Sequence, residues 1–483
     1  MVYIGFGIGV INTLIFVRKD FLFTPDQYAL VGLFTNVAVL FYSLASLGSL
    51  TVLYKFYPYY KDNLPDDKND LFTRTLIINV FGIVIVCFAA IVFRPLVVRK
   101  YSEHSKLFVD YYHWIFPFAI GLTIFSLLES YTWVLQKTVI SSFLKETALR
   151  ILTLILIALY YFNFITYQHF VFLFSGVYFV LCIILFVYLK KNGGLHITFS
   201  VSRVTKKFRK KMMAMQALVF GGITIINIGQ TIDGLIIASL KGLTQTAVYT
   251  LATYAANIVQ VPQRSIVAIS TGVLVREWKE KNYAEISRIY ERSCINMLLL
   301  ALFIFGNIWL NVMDGLKVLK VQNVFSDSMS VMLVIGMIRI MDAGTGVNNI
   351  IISTSNKWKF EFYTGIGLLA MRIPLAYIFV KHFGIIGSAY AELITLTIFN
   401  YIRFEFLRRT YNMQPFTMKT VYALLLGFGS YFAVNSALGS ITGWTGIILR
   451  GFLFSGLMVA GTFILKLTPD AMQLYDNFKK RFA

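Results

Sequence analysis

Leu76-Ile-Ile-Asn-Val-Phe-Gly-Ile-Val-Ile-Val-Cys-Phe-Ala-Ala-Ile91 carries no charge and a single amide side chain. A bilayer core of about 30 Å is crossed by about 20 helical residues, so this run with its flanks, 75–96, reads as a membrane span. Only α-helices and closed barrels satisfy every backbone group in lipid, and barrel strands would alternate apolar with polar residues. The apolar character here is continuous, as it is again over 170–189. The segment is therefore a helix in lipid, and the rest of the chain repeats it.

Working outward, about fourteen such runs fill the sequence, at 2–17, 28–53, 75–96, 113–135, 146–162, 169–189, 213–240, 246–275, 294–313, 329–352, 362–380, 385–407, 419–438 and 443–466. With 57% hydrophobic and 14% charged residues, and a mean hydropathy of +0.70, little is left for a soluble domain. The reading is an all-α integral membrane protein of about fourteen transmembrane helices. Cys87, Cys182 and Cys294 fall in or beside apolar runs with no metal or disulfide spacing, so they read as small core residues.

The net charge of +21 suggests nucleic acid until its placement is considered. The basic residues gather in hydrophilic loops on one side of the span pattern, by about three to one, which puts both termini in the cytoplasm and excludes a nucleic-acid partner. No basic lead-in and small-residue cleavage site marks a signal peptide at the start. The loop 190–211 holds eight basic residues, six of them in the cluster Arg203, Lys206, Lys207, Arg209, Lys210 and Lys211. Such a cluster attracts anionic membrane lipids, or serves only to anchor topology. The stretch 276–293 reads as a charged amphipathic helix on the membrane surface, with Trp278, Ile286 and Ile289 as its apolar contacts.

A shift of about 221 positions lays the start of the chain on its middle. Asn12 then meets Asp233, Tyr28 meets Tyr249, Asn36 meets Asn257, and Lys55 meets Arg276. Six spans separate the copies, so both halves insert the same way round. The expected organisation is two pseudo-symmetric six-helix lobes, 1–189 and 213–407, joined by a basic cytoplasmic linker, 190–212. Two C-terminal helices (408–466) and a cytoplasmic tail (467–483) follow. Parallel repeats of this kind bind substrate between their halves and work by alternating access.

Asn227-Ile-Gly-Gln-Thr-Ile-Asp233 and Ala247-Val-Tyr-Thr-Leu-Ala-Thr-Tyr-Ala-Ala-Asn-Ile258 resemble the seventh and eighth spans of polysaccharide flippases. Phe383-Gly-Ile-Ile-Gly-Ser-Ala-Tyr-Ala-Glu-Leu393 resembles their entry to span twelve. The chain is thus similar to the oligosaccharide-lipid flippases of the multidrug/oligosaccharidyl-lipid/polysaccharide exporter superfamily over nearly its whole length. That resemblance implies a cell (inner) membrane protein that moves undecaprenyl-diphosphate-linked repeat units, of O-antigen or capsule type, to the outer leaflet. Lipid-linked oligosaccharide is then the cargo, with a polysaccharide polymerase and glycosyltransferases as partners and no cofactor. The chain departs from the lipid II flippases of this superfamily. Where they carry arginines in the first two spans, it offers Asn12 and Asn36, with Arg18 only at a span end.

Ionisable groups in a span cost about 2.5–3.5 kcal/mol on insertion scales, so they face a cavity or a partner. The stripes are Asn227, Gln230 and Asp233; Asn257, Gln260 and Arg264 beside Pro262; Arg339, Asp342, Gly346 and Asn349; Thr147, Arg150 and Thr153; and Ser388, Glu392 and Thr395. Arg372 lies next to Pro374, and Glu129 stands in span four. A diphosphate wants the bidentate, permanently charged donors of arginine, and sugar hydroxyls want amides. Arg150, Arg264, Arg339 and Arg372, with Asn36, Asn257, Gln260 and Asn349, are therefore the candidate substrate-binding residues. Arg339 paired with Asp342 one turn away is the competing structural reading. Asp233, Gln230, Asn227, Asp342 and Glu392 are the candidates for ion coupling. A cation-coupled multidrug and toxin exporter of the same superfamily is the alternative function. A polymerase or ligase is disfavoured by short outer loops, and no nucleotide, metal or nucleophile motif points to an enzyme.

Overall fold

The computed structural model describes residues 2–20, 23–192 and 195–470, and it is all-α. Most of the tail expected at 467–483 lies outside the described residues. Two compact units divide the chain, Met1–Ala247 and Val248–Ala483.

The first unit contains α1 (Val2–Val17), α2 (Pro25–Ala45), α3 (Ser49–Asn63), α4 (Leu71–Val92), the short α5 (Arg94–Tyr101) and α6 (Lys106–Asp110), and α7 (Ile115–Val134). Then come α8 (Thr138–Phe143), α9 (Leu149–Tyr161), α10 (Tyr167–Lys191) and the 39-residue α11 (Arg203–Lys241). Helix α7 packs on α2 and α10, and α11 lies along α2, α3 and α5. The compact unit therefore reaches past the boundary of the sequence repeat and takes in the helix of the expected seventh span.

Helix α4 shows why these helices pack as they do. Its large apolar residues Phe81, Val84, Ile85 and Phe88 are exposed, whereas Thr73, Thr75, Asn79 and Gly82 are buried. In lipid, apolar side chains gain nothing by leaving the surface, so small and hydrogen-bonded polar residues face the neighbouring helices. Asn79 donates to Ser49 Oγ at 2.9 Å, and Gly82 lets the Ala45 carbonyl approach where a Cβ would stand 2.0 Å from its oxygen.

The second unit is built from α12 (Leu243–Asn257, beginning within the first unit), α13 (Gln260–Glu280), α14 (Tyr283–Val318), α15 (Ser328–Gly344) and α16 (Asn348–Thr354). It ends with α17 (Lys359–Phe383), α18 (Ile385–Tyr411), α19 (Met418–Leu438) and α20 (Gly443–Ile464). Helix α18 packs on α15 and α17, while α14 packs on α13, α15, α19 and α20. A buried ion pair between Arg450 and Asp314 joins α20 to α14.

Among the described residues, eleven helices are long and apolar enough to cross a membrane, and twelve if a bent pair counts as one span. The two remaining expected spans correspond to α1 and to α9, which is preceded by a π-helical turn at Leu144–Ala148. Three expected spans are broken. The run at 28–53 breaks between α2 and α3, where Leu47 and Gly48 take φ of 48° and 71°. The run at 246–275 bends by 51° between α12 and α13. There the ring of Pro262 has no N–H for the carbonyl of Ile258, four residues back, and crowds it. The chain responds with i−3 bonds from Ile258, Val259 and Val261. The run at 329–352 stops at Gly346, whose φ of 63° seats it against Ser293 and Cys294.

The stretch 276–293 is not a separate surface helix. Residues up to Glu280 finish α13, Lys281 turns in the left-handed region, and Tyr283 opens the 36-residue α14. Ile286 is fully buried in the unit, and Trp278 donates to the Ile351 carbonyl at 3.1 Å.

Candidate functional site

Three charged side chains meet inside the second unit. Arg339 of α15 lies 3.1 Å from one oxygen of Glu392 on α18, and Arg372 of α17 lies 3.3 Å from the other. Arg339 Nε also donates to Asn257 Oδ1, at the end of α12, at 2.8 Å. All three charged groups are less than a tenth exposed. Two guanidiniums thus share one carboxylate, one on each oxygen. The expected pair of Arg339 with Asp342 does not form. Asp342 instead accepts from Asn400 Nδ2 at 3.1 Å, and Arg339 turns to Glu392 on the facing helix.

A cavity of about 350 Å³ also opens within this unit. Gln260, Gln263 and Arg264 of α13, Asp342, Gly346, Asn348 and Asn349 around the α15–α16 break, and Arg403 of α18 line it. Arg403 is held by both oxygens of Glu361 and lies over the Phe399 ring, 3.9 Å from its centroid. Arg264 is exposed, with no ion-pair partner among the described residues. The Nε2 of Gln263 and the Nδ2 of Asn348 are buried without a hydrogen-bond acceptor among the described residues. The break at Gly346 places Asn349 on a different helix from Asp342, yet both reach this wall. The free hydrogen-bonding capacity here is rich in donors.

The candidates thus divide. Arg264, Gln260, Asn349 and Asp342 face the cavity, and Arg339, Arg372, Asn257 and Glu392 form the buried cluster beside it. Arg150 belongs to the first unit, where it lies 3.1 Å from Glu146 and against Gly9 of α1. Asn12 donates to the Arg150 carbonyl at 3.0 Å, so this arginine serves the α1–α9 contact. Asn36 of α2 sits against Gly234 of α11, whose missing Cβ gives it room. Along α11, Asp233 is buried, Asn227 half-buried and Gln230 exposed. Steps of three residues drift by about 60° each, so a run of i, i+3, i+6 spans too wide an arc for one face. Thr153 and Thr395 return their hydroxyls to carbonyls of their own helices at 2.9 and 2.7 Å, and Glu129 meets Lys145 at 2.9 Å.

Arg403, Asn400, Gln263 and Asn348 were not singled out by the sequence. Extending the stripe Ser388, Glu392, Thr395 by two turns leads to Phe399, Asn400 and Arg403. Gln263 and Asn348 each adjoin a residue that was noticed.

With this geometry in hand, comparison with known proteins places the chain. The family model described as "Polysaccharide biosynthesis protein" matches residues 1–275. The chain belongs to this family. No curated protein matches it in sequence. Among solved structures, it is similar to the lipid II flippase MurJ in an inward closed conformation, with a TM-score of 0.73 and 13% identity over 96% of this chain and 97% of that one. It is also similar to an inward-facing multidrug resistance MATE family transporter of the MOP superfamily, with a TM-score of 0.68 and 15% identity over 84% and 94% of the two chains. A MOP superfamily transporter from Pyrococcus furiosus, described as having a binding pocket of reverse polarity, aligns with a TM-score of 0.55 and 14% identity over 85% and 94%. The fold is that of these transporters, and the chain is a multi-pass membrane protein.

Proposed function

We propose that this family member carries undecaprenyl-diphosphate-linked oligosaccharide, the repeat unit of an O-antigen or capsule type polymer, from the cytoplasmic to the outer leaflet by alternating access. In this reading it acts as a carrier and not as an enzyme, both termini lie in the cytoplasm, and glycosyltransferases and a polymerase act before and after it. The sequence repeat supports two like-oriented six-helix lobes, with 190–212 between them. The observation that carries the reading is the chemistry of the second unit's cavity. Arg264 stands open there, and two buried amide nitrogens lack acceptors among the described residues. A diphosphate or a sugar ring is rich in acceptors, and guanidinium binds phosphate oxygens in a bidentate fork.

The coupling acid best fitted to this site is Asp342, which faces the cavity, whereas Glu392 is engaged by two arginines. Deleting the gene in its host and scoring both surface polymer and drug sensitivity tests the reading. Loss of polymer with accumulation of lipid-linked repeat units is expected. Drug hypersensitivity with normal polymer would replace it with multidrug export.

A further inference from the structure

A second surface lies in the first unit, at the entry to α11. The six cations Arg203, Lys206, Lys207, Arg209, Lys210 and Lys211 are all exposed there, and none has an ion-pair partner among the described residues. Val204 is buried, the Phe208 ring packs against Phe56 and Tyr59 at 5.7 and 5.1 Å, and the Met212 sulfur accepts from Tyr60 at 3.7 Å. The helix therefore turns an apolar face to α3 and a wholly basic face outward.

The extended chain before it adds a feature of a different kind. Thr198 N–H donates to Thr73 Oγ1 at 3.0 Å, Arg74 donates to the Phe199 carbonyl at 2.9 Å, and Ser202 N–H donates to Asp70 at 3.2 Å. This pins the segment along the start of α4. Ile197, Phe199 and Val201 are left 49%, 73% and 48% exposed. Asp70, fully buried, also accepts from Thr205 at 2.9 Å, which fixes the segment to the first turn of α11. Three apolar side chains and six cations are thus presented side by side on a braced backbone. No acidic residue occurs in 190–211 to compensate them.

We infer that residues 197–211 form a docking surface for anionic phospholipid headgroups of the bilayer that the chain itself spans. The apolar part of α11 begins directly after Lys211, so the cations stand at headgroup depth. The charges attract the headgroups, and Ile197, Phe199 and Val201 enter the boundary with the acyl chains. The inference stands on charge and apolar exposure in the first unit alone, independent of which cargo the transporter carries.

Native mass spectrometry of the full chain, released from mixed phosphatidylglycerol and phosphatidylcholine, tests it by counting retained lipids. Each surface cation adds severalfold, so a preference for the anionic lipid of at least about tenfold is expected, falling with salt. Replacing all six cations with Gln abolishes this preference, while neutralising Arg99, Lys100, Lys106 and Lys241 leaves it intact. The triple variant I197S/F199S/V201S keeps every charge, and with it the insertion signal, and is expected to retain severalfold less anionic lipid. Unchanged phosphatidylglycerol retention in the six-Gln protein, or in the triple serine protein, overturns the inference.

Discussion

Glu392 holds the interior of the second unit together, and the two-to-one stoichiometry of its cluster makes the consequences unequal. Glu392→Gln takes the shared carboxylate from Arg339 and Arg372 at once, and breaking a buried pair in this way costs about 3–5 kcal/mol. Arg372→Gln leaves the Arg339–Glu392 contact in place, so its loss of stability should be smaller. Thermal unfolding in detergent should rank the wild type above R372Q and R372Q above E392Q. Equal midpoints for the two variants would mean that Glu392 is not shared. Arg264 is expected to behave differently. Since no ion pair holds it among the described residues, Arg264→Gln should leave the unfolding midpoint unchanged and cut polymer export in cells at least about tenfold, the loss of one charge-assisted contact.

At the scale of single elements, the start of α11 depends on one carboxylate. Asp70 receives Thr205 and the Ser202 amide, and Tyr60 meets Thr205 at 2.7 Å. Burial pushes the Tyr60 phenol up to about 12, so it remains neutral in this network at any physiological pH. Asp70→Ala leaves a buried amide and a hydroxyl without their acceptor, at about 1–3 kcal/mol each. Hydrogen exchange should quicken over 198–210 and stay unchanged in α17 and α18. The breaks in the expected spans belong at this scale too. Pro262 and its consequence for the Ile258 carbonyl are local. The breaks at Gly48 and Gly346 arise from contacts with Gln216 and Phe220 and with Ser293 and Cys294, which lie far along the chain. Hydropathy averaged over a span cannot register them.

Across the whole molecule, the span pattern and the polar stripes were legible because lipid leaves the backbone only one solution and makes each buried charge conspicuous. The partners of those charges were not. Arg339 is 53 residues from Glu392 and three from Asp342, and spacing along one helix favours the nearer acid. Tertiary packing of α15 against α18 decided otherwise. In the same way, the sequence grouped four arginines, whereas the structure gives two to a buried cluster, one to the first unit and one to the cavity. The positive charge offered to a ligand in the second unit is thus mainly that of Arg264.

That claim is tested most directly by transfer of a fluorescent undecaprenyl-diphosphate oligosaccharide between the leaflets of liposomes containing the purified protein. The wild type should move the lipid, and R264Q should move it at least about tenfold more slowly while inserting and folding normally. Transfer by R264Q at the wild-type rate, or no transfer by either protein, would contradict the account.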